Sequence, residues 1–514
     1  MSISLQAFDL MRHRGSIDEE APHETWDRLD LARQDALGRA RRAAAIINPT
    51  LLPPVGASPD NCEASPTGTS MMSTLVSGLA SRVHDALFPD SVPFVAVRMT
   101  KKGIEGLAAQ GLLNGSEAEV RATIAESEAA IEAEIMKEWA RWGQSAATQT
   151  AILHAVTMNG GALLLNDSGD LEALAQDQFC VEISRGRIVT FVVGRAEMVL
   201  DIDPKKLEAL GIDDVDDHDY LPVVTRYAAK RDGKRIRFEM RQSIDDEELP
   251  DEFTKMIDAE DVPFIYVPWR IPPGGNYSVG PVAENMGDIE AMTYMLQASM
   301  IYGTLMSEVR FLIDPAAGIS PEDFAAMENG DARRGRAEGV QTVQVGDYRV
   351  LQSVTQAADM IRQRLGAAFV DTQSVVRNSE RTTAYEVQQV IAGLNQTYTA
   401  VYEGMAKFLQ LPIANMLFKR MKIKVDDSFE LSISAGKAAL SRAADAARLQ
   451  SAFALLAASG QIPPNILQAL NSQALIKLAF SYNSLQSNSL VLSPEEVQQA
   501  AAAQAQAEQG AAPQ

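Results

Sequence analysis

The side chains that most often carry out catalysis or bind metals are few and scattered in this sequence. Its histidines lie at no spacing typical of a catalytic triad or a metal site, and they are His13, His23, His84, His154 and His218. The sequence contains neither a G-x-x-x-x-G-K-[ST] phosphate-binding loop nor a G-x-S-x-G nucleophile elbow. We therefore expect a protein that is not an enzyme and uses no cofactor or metal.

Two charged segments and a run of methionines are further candidates for binding sites. The acidic run at 213–219 lacks the ligand spacing of a calcium loop, which favours a solvated loop over a cation site. The basic segment at 226–241 has few aromatic residues for stacking on bases, which favours an exposed hairpin or a subunit contact over DNA binding. The five methionines between 286 and 306 favour adaptable helix packing over a cofactor site.

Size and charge limit the classes of function that remain. A chain of 514 residues exceeds the usual size of one domain, so we expect several modules. The net charge of −22 argues against a protein that grips DNA tightly, but it allows a surface along which DNA slides. Cys62 and Cys180 make no disulfide framework, which indicates a reducing cytoplasm. The sequence predicts neither a signal peptide nor a segment that crosses a membrane.

Apolar periodicity predicts an α+β chain that is mainly helical. Strands from Ala162 onward flank two predicted hairpin turns, at Ser184-Arg185-Gly186 and at Asp232-Gly233, the second favoured because Asp-Gly suits a type I′ turn. Ser353 is the expected cap of a helix, and Pro412 is expected to kink another. The predicted helices cover 24–46, 69–87, 116–142, 145–158, 282–307, 353–370, a segment from 384 past 410, and 437–480.

Seven segments follow one another in a distinctive order. They are LASRVHDALFPDSVPF (79–94), YSVGPVAENMGDIEAMTYMLQ (277–297), FLIDPAAGIS (311–320), GRAEGVQTVQVG (335–346), IRQRLGAAFV (361–370), RNSERTTAYEVQQ (377–389) and FLQLPIANMLFKRM (408–421). No single segment is diagnostic, but the ordered series is specific. It resembles the head-to-tail connector, or portal, proteins of short-tailed phages of the autographivirus type. The similarity extends loosely over about residues 24–490.

The resemblance implies a phage portal fold that forms a ring of twelve subunits at one capsid vertex. Its subunits have wing, stem, clip and crown regions, and the ring conducts DNA during packaging and ejection. The implied regions are an N-terminal wing (1–281), stem helix one (282–307), a clip (308–352), stem helix two (353–370), a tunnel loop (371–383), a wing helix and strand (384–436), a crown (437–490) and a C-terminal tail (491–514).

The tunnel loop that the resemblance implies contains two arginines that are candidates for DNA contact. Arg377 and Arg381 would form a thin basic ring that touches phosphates without reading bases. The alternative is that either arginine pairs with Glu380 or with a neighbouring subunit. A ring that held DNA through many contacts would trap it, so a few local cations suit a conduit better than a basic protein body.

The implied clip contains a second arginine cluster, Arg333, Arg334 and Arg336, at the surface that would meet the tail adaptor or the packaging motor. The alternative is that these are solvated loop charges. The chain departs from the expected pattern here, with this cluster and with Gly339 where an acidic residue is expected.

The resemblance also implies partners and a location. The partners are other copies of the chain, double-stranded DNA bound without sequence specificity, the major capsid protein, scaffold protein, the terminase large subunit, the tail adaptor and internal core proteins. The location is the virion, after assembly in the host cytoplasm. The alternative is another ring-forming virion component, such as an internal core or tail adaptor protein. Two helices that bracket an irregular insertion favour the portal, because an adaptor is usually much shorter.

Overall fold

The computed structural model of this chain describes residues 20–62, 70–89, 93–100, 102–105, 117–212, 215–233, 235–307, 309–344, 348–369, 401–422 and 429–433. These residues divide into two compact units. The first is drawn from Met1–Ser81 and Ser145–Thr397, and the second from Arg82–Gln144 and Tyr398–Gln514. Within the described residues, no helix is long and apolar enough to cross a membrane.

The structure is a mixture of helix and sheet. The helices are α1 (Pro22–Ile47), α2 (Met71–Leu87), α3 (Glu117–Trp142), α4 (Ser145–Thr157), α5 (Pro204–Leu210), α6 (Pro281–Glu284), α7 (Met286–Ser307), α8 (Pro321–Ala325), α9 (Tyr348–Ala368) and α10 (Leu411–Arg420). The strands are β1 (Val95–Met99), β2 (Gly161–Leu165), β3 (Leu171–Leu174), β4 (Phe179–Ser184), β5 (Arg187–Met198), β6 (Tyr220–Asp232), β7 (Arg235–Ile244), β8 (Glu247–Glu248), β9 (Lys255–Asp258), β10 (Phe264–Val267), β11 (Val309–Ile313), β12 (Val340–Gln344) and β13 (Phe429–Ile433).

A six-stranded antiparallel sheet is the centre of the first unit. Its order is β4-β5-β6-β7-β8, and β9 also pairs with β7. The predicted hairpin at Arg185-Gly186 is confirmed, and both residues have positive φ, as a type I′ turn requires. The second hairpin is confirmed one residue further on, because Asp232 pairs with Arg235 and Gly233 lies in the turn between them. Gly233 has a φ of 60°, which glycine adopts without strain.

The main apolar core lies on one face of this sheet, where the three-stranded sheet β10-β2-β3 packs against it. Phe191 stacks on Phe264 with the ring centroids 4.3 Å apart, and Phe179 lies beside both Phe191 and Tyr266. The hydroxyl of Tyr266 donates to the carbonyl of Asn159 at 2.9 Å, which satisfies its polar end inside the core.

Helix α1 covers the opposite face of the six-stranded sheet. Trp26 and Leu29 pack there against Val192 and Val224. A Cβ atom at Gly194 would come within 2.8 Å of the Trp26 ring, so the indole lies on the strand only because residue 194 has no side chain. This close contact fixes where the helix sits on the sheet.

One buried arginine ties α1 to the turn between β3 and β4. The Arg33 guanidinium donates to the carbonyl oxygens of Gln176 at 2.7 Å, of Asp177 at 2.8 Å and of Phe179. Its Nε donates to Asp30 at 2.7 Å, and its plane lies 5.0 Å from the centre of the Trp26 ring. The guanidinium thus satisfies backbone acceptors that the turn leaves without strand partners.

His154 on α4 gives the first unit a pH dependence that can be tested. Burial lowers the pKa of His154 to about 4, against the weaker opposing effect of its hydrogen bond to the Leu174 backbone. The unfolded chain takes up this proton near pH 6.5, whereas the folded chain does so only near pH 4. Stability is therefore fully present above pH 6.5 and falls, by about 3 kcal/mol in all, as the pH drops from 6.5 to 4.

The measurement is urea unfolding of the protein and of His154→Gln across this pH range, at matched protein concentrations. The glutamine amide keeps a donor for the Leu174 carbonyl but cannot become charged. We expect a flatter dependence of unfolding free energy on pH in the variant. Equal slopes for the two proteins would contradict the assignment of this effect to His154.

The second unit combines α3, the strand pair β1–β13 and the helix that ends at Arg420. Glu128 and Glu132 of α3 accept hydrogen bonds from the backbone amides of Met99 and Val97, at 2.7 and 3.1 Å. The outer edge of β1 is thereby satisfied by side chains rather than by another strand. Phe88 stacks on Trp139 in the core of this unit, with the centroids 4.9 Å apart.

The helix that contains Pro412 is irregular where the sequence predicted a kink. A π-helical turn, Ala406–Gln410, directly precedes α10. Proline cannot donate a backbone hydrogen bond to the preceding turn, and its ring needs space there. The wider π turn accommodates the missing hydrogen bond and gives the ring room. Gln410 lies fully buried in this turn, and its side-chain amide donates to the carbonyl of Leu87 at the end of α2.

Other helix boundaries differ from the sequence predictions in informative ways. Stem helix one, expected as a continuous helix, is divided at Asn285 into α6 and α7. Helix α9 begins at Tyr348 rather than at Ser353, which lies inside the helix. The expected helices 384–410 and 437–480 lie largely or wholly outside the described residues.

Candidate interaction surface: a helical hairpin and the segment it brackets

Helices α7 and α9 pack side by side as an antiparallel hairpin. Asp288 near the start of α7 pairs with Arg364 near the end of α9, at 3.3 Å. The strands that continue the hairpin, β11 and β12, also pair antiparallel. On the other side of α7, Arg42 of α1 makes two hydrogen bonds to Glu290, which ties the base of the hairpin to the rest of the first unit.

Among the described residues of this hairpin, only those at its base are buried. The buried residues of α7 are Ile289, Met292 and Thr293, all near its start. On α9 the buried side chains, Ile361 and Leu365 among them, lie in its second half, beside that same base. From Tyr294 to Ser307 no residue of α7 is buried, so no layer of the described residues covers this half of the hairpin.

The uncovered half of α7 is apolar. Ile301 is 56% exposed and Leu305 is 42% exposed, and Tyr294 and Met300 are exposed as well. No charged residue occurs between Glu290 and Glu308. Packing was the preferred interpretation of the methionines, and Met292 alone among the five is buried in this chain. Such a surface is typical of a contact with another protein.

Exposed apolar residues on α7 were missed as functional residues by sequence reasoning. The available signal was the uncharged run itself, because a helix that faces water on one side normally carries charge there. The partner helix α9 does carry charge on its outer side, with Arg362 and Asp359 exposed.

The segment bracketed by the two helices is built around the ribbon β11–β12. Phe311 packs against Phe324 with the ring centroids 5.0 Å apart, and Ser320 caps α8 by accepting from the amide of Asp323 at 3.0 Å. A Cβ atom at Gly339 would lie 2.6 Å from the Cβ of Ala317. Tight packing therefore accounts for glycine at the position where an acidic residue was expected.

The three arginines of this segment are displayed on its surface. Arg333 lies 3.7 Å from Asp323 in a loose, exposed ion pair. Arg334 and Arg336 are exposed, and neither forms an ion pair with any residue that the structure describes. The cations are therefore available to a partner. Arg377 and Arg381, the other predicted contact residues, lie outside the described residues.

The basic segment at 226–241 is largely neutralised by its own chain. Arg226 is completely buried and donates to the carbonyl of Glu20 and to Glu239, the latter at 3.5 Å. Burial is the main reason that the pKa of Arg226 is lowered, and the nearby Glu239 opposes it. Lys230 also pairs with Glu239, at 2.7 Å. The prediction of an exposed hairpin therefore holds only for its tip, where Arg231 and Arg235 are exposed.

The acidic run at 213–219 is described only from residue 215 onward. Asp216 accepts from the backbone amide of His218 at 3.1 Å and the segment is exposed, in keeping with a solvated loop. Within the part of the chain that the structure describes, no group of three or more acidic, histidine or cysteine side chains is placed to hold a metal ion.

Comparisons with known proteins give one consistent family. A family model described as "Bacteriophage head to tail connecting protein" matches residues 19–477. The portal protein of Enterobacteria phage SP6 is 25% identical over 398 residues, which cover 76% of this chain and 74% of that protein. The portal protein of Pseudomonas phage phiKMV is 27% identical over 419 residues, covering 76% and 77%.

The solved structures give a more distant likeness. The neck of an empty gene transfer agent particle has a TM-score of 0.36 and 12% identity, and the match covers 84% of this chain and 94% of that one.

Proposed function

This chain belongs to the family of bacteriophage head-to-tail connecting proteins, and from that membership we propose that twelve copies form a ring at one vertex of a short-tailed phage capsid. DNA passes through the ring during packaging and ejection. The observation that carries this proposal is the family match over residues 19–477, which includes the helical hairpin and both arginine clusters. The role is structural and requires no catalytic centre.

The uncovered half of α7 supports the ring. Contact with neighbouring copies in a ring would remove Tyr294, Met300, Ile301 and Leu305 from water, and the burial of each such side chain contributes about 1.5–3 kcal/mol. Methionine side chains adapt to irregular neighbours, which suits helices that shift slightly against each other as DNA moves. We assign α7 and α9 to the stem on this basis.

The charge of the chain suits a conduit that does not hold its cargo. Double-stranded DNA carries one negative charge per ~1.7 Å, and each subunit carries −22, so most of the protein body repels DNA. Arg377 and Arg381 supply a local ring of cations in the tunnel loop that we propose at 371–383. The test of this role is the retention of DNA in filled heads whose subunits carry alanine at both Arg377 and Arg381. Unchanged retention would contradict the role.

The displayed arginines of the bracketed segment suit docking at the clip. Arg333, Arg334 and Arg336 face solvent, where cations speed the encounter with an acidic partner and help to fix its register. We assign this surface to the tail adaptor or to the terminase large subunit of the packaging motor. Binding of the purified adaptor and motor to a variant with all three arginines changed to glutamate tests the assignment, and unchanged binding of both would reject it.

The remaining contacts follow from the position of the ring. It meets the major capsid protein at the vertex, scaffold protein during assembly, and internal core proteins on its inner side. We place the protein in the virion after assembly in the host cytoplasm.

The test of the ring is native mass spectrometry of the purified chain, with electron microscopy of the same sample. We expect a particle near twelve times the chain mass of 55.7 kDa, with a central hole. A chain that stays monomeric alone and with scaffold protein added would overturn the proposal.

A further inference from the structure

The six-stranded sheet carries opposite charges at its two ends. Its turns are three two-residue connections, β4–β5, β6–β7 and β7–β8, and because neighbouring strands are antiparallel, the first two lie at one end and the third at the other. The residues at the first end include exposed arginines, whereas Asp245 and Asp246 form the turn at the second. β6 has 13 residues, so the two ends are about 40 Å apart.

The first end, here called the basic end, presents Arg185, Arg187, Arg231 and Arg235. All four are exposed, and none forms an ion pair with a residue that the structure describes. The acidic residues nearest in the fold are Asp232 and Asp258, which both pair with Arg237, at 3.4 and 2.9 Å, and the exposed Glu260 and Asp261 that follow β9. Ile236 is partly exposed among these charges.

The second end, here called the acidic end, is formed by the loop before β6 and by the β7–β8 turn. Its exposed carboxylates are Asp201, Asp203, Asp216, Asp217, Asp219, Asp245, Asp246, Glu247, Glu248, Asp251 and Glu252. The cations around them are Lys205, Lys206, Arg241 and Lys255. Arg241 pairs with Glu248 at 3.1 Å, which leaves a large excess of negative charge.

Exposed apolar residues lie within the acidic end. Leu200 is 63% exposed and Tyr220 is 62% exposed, and their backbones are linked to the acidic loop and to β5, respectively. Protein–protein contacts usually have an apolar centre and a polar rim, and an aromatic side chain surrounded by charged residues fits that arrangement. Ile236 at the basic end is a counterpart for such a centre.

We propose that the basic end of one subunit docks on the acidic end of the next copy of this chain. This inference rests on the proposed ring. Subunits in a ring meet head to tail, so each needs two different surfaces that complement one another, and the two ends of one sheet provide them. Charge complementarity sets the direction and register of the contact.

DNA is the competing partner for the basic end, and the observations favour a second copy. Carboxylates are interleaved with these arginines, and a phosphate backbone would meet Glu260 and Asp261 as well. The matching negative surface is present on the same sheet of every subunit. A DNA contact also leaves the acidic end without a partner.

The test is charge reversal at positions with ordinary backbone conformation. The basic-end variant carries Arg187→Glu, Arg231→Glu and Arg235→Glu, and the acidic-end variant carries Asp217→Lys, Glu247→Lys and Glu252→Lys. Sedimentation at low salt measures association between chains, and native mass spectrometry reports ring closure separately. Asp35→Lys with Arg39→Glu, two exposed charges on α1, is the control for reversal as such.

Each variant alone should associate at least 10-fold more weakly than the unchanged chain, and an equimolar mixture of the two should regain association, because every contact in it joins opposite charges again. Equal association of both variants and the control, or no recovery on mixing, would overturn the inference. Loss of DNA binding in the basic-end variant with association intact would assign that end to DNA. If the unchanged chain associates but never closes a ring, that result contradicts the proposed function and leaves this inference standing.

Discussion

Replacing Arg33 by methionine is expected to lower the free energy of unfolding of the first unit by about 3–5 kcal/mol. Methionine keeps the apolar stem but removes every donor of the guanidinium. The carbonyl oxygens of Gln176, Asp177 and Phe179 would then be buried without their hydrogen bonds, and each such loss costs about 1–3 kcal/mol. Asp30 would also lose its ion pair.

The measurement is urea unfolding monitored by tryptophan fluorescence, a signal to which Trp26, beneath the guanidinium, contributes. Arg39→Met is the matched control, since Arg39 lies on the same helix and is exposed. A loss of stability equal in the two variants would show that the bonds to the β3–β4 turn are not what stabilises this unit.

Placing glutamate at Ile301 and Leu305 is expected to abolish the ring while leaving the fold of the chain intact. Neither side chain is buried in the single chain, so folding does not depend on it. If neighbouring subunits cover both, the lost burial is worth about 3 kcal/mol or more at each contact, or about 100-fold in affinity, before the cost of burying two charges.

Native mass spectrometry and circular dichroism together check this result. The control is glutamate at Leu31 and Val55, which are also exposed apolar residues but lie far from the hairpin in sequence. The control should form rings. Rings of the Ile301/Leu305 variant at the same protein concentration would refute a contact through α7.

The sequence predicted the local elements well where one strong signal decided them. The two hairpins and helices α1 to α4 follow from turn residues and apolar periodicity, and the structure confirms them within a few residues. The prediction of a helix start at Ser353 was wrong, because a cap sequence is a weak preference and the helix begins five residues earlier, at Tyr348. The regions of the implied portal subunit remain predictions.

Long-range contacts were beyond what the sequence pattern could predict. Arg226 and Arg231 belong to the same basic segment, but Arg226 is buried against partners distant in the sequence, among them a carboxylate on β7 and the backbone of Glu20. Arg33 did leave a signal, because it occupies the apolar stripe of α1 with Leu29 and Leu37. A charge on such a stripe indicates a buried partner, although not which one.

The π turn before Pro412 has a consequence for comparing relatives. A π turn holds one residue more than an α turn, so it behaves as a single-residue insertion that the helix has absorbed. Deleting one residue between Ala406 and Gln410 would turn the π turn into an ordinary α turn and leave Ile413 and Leu417 facing the core, but it would remove the room that Pro412 needs in the preceding turn. In related sequences, a one-residue gap at this point should therefore coincide with loss of the proline, and the two changes should be inherited together.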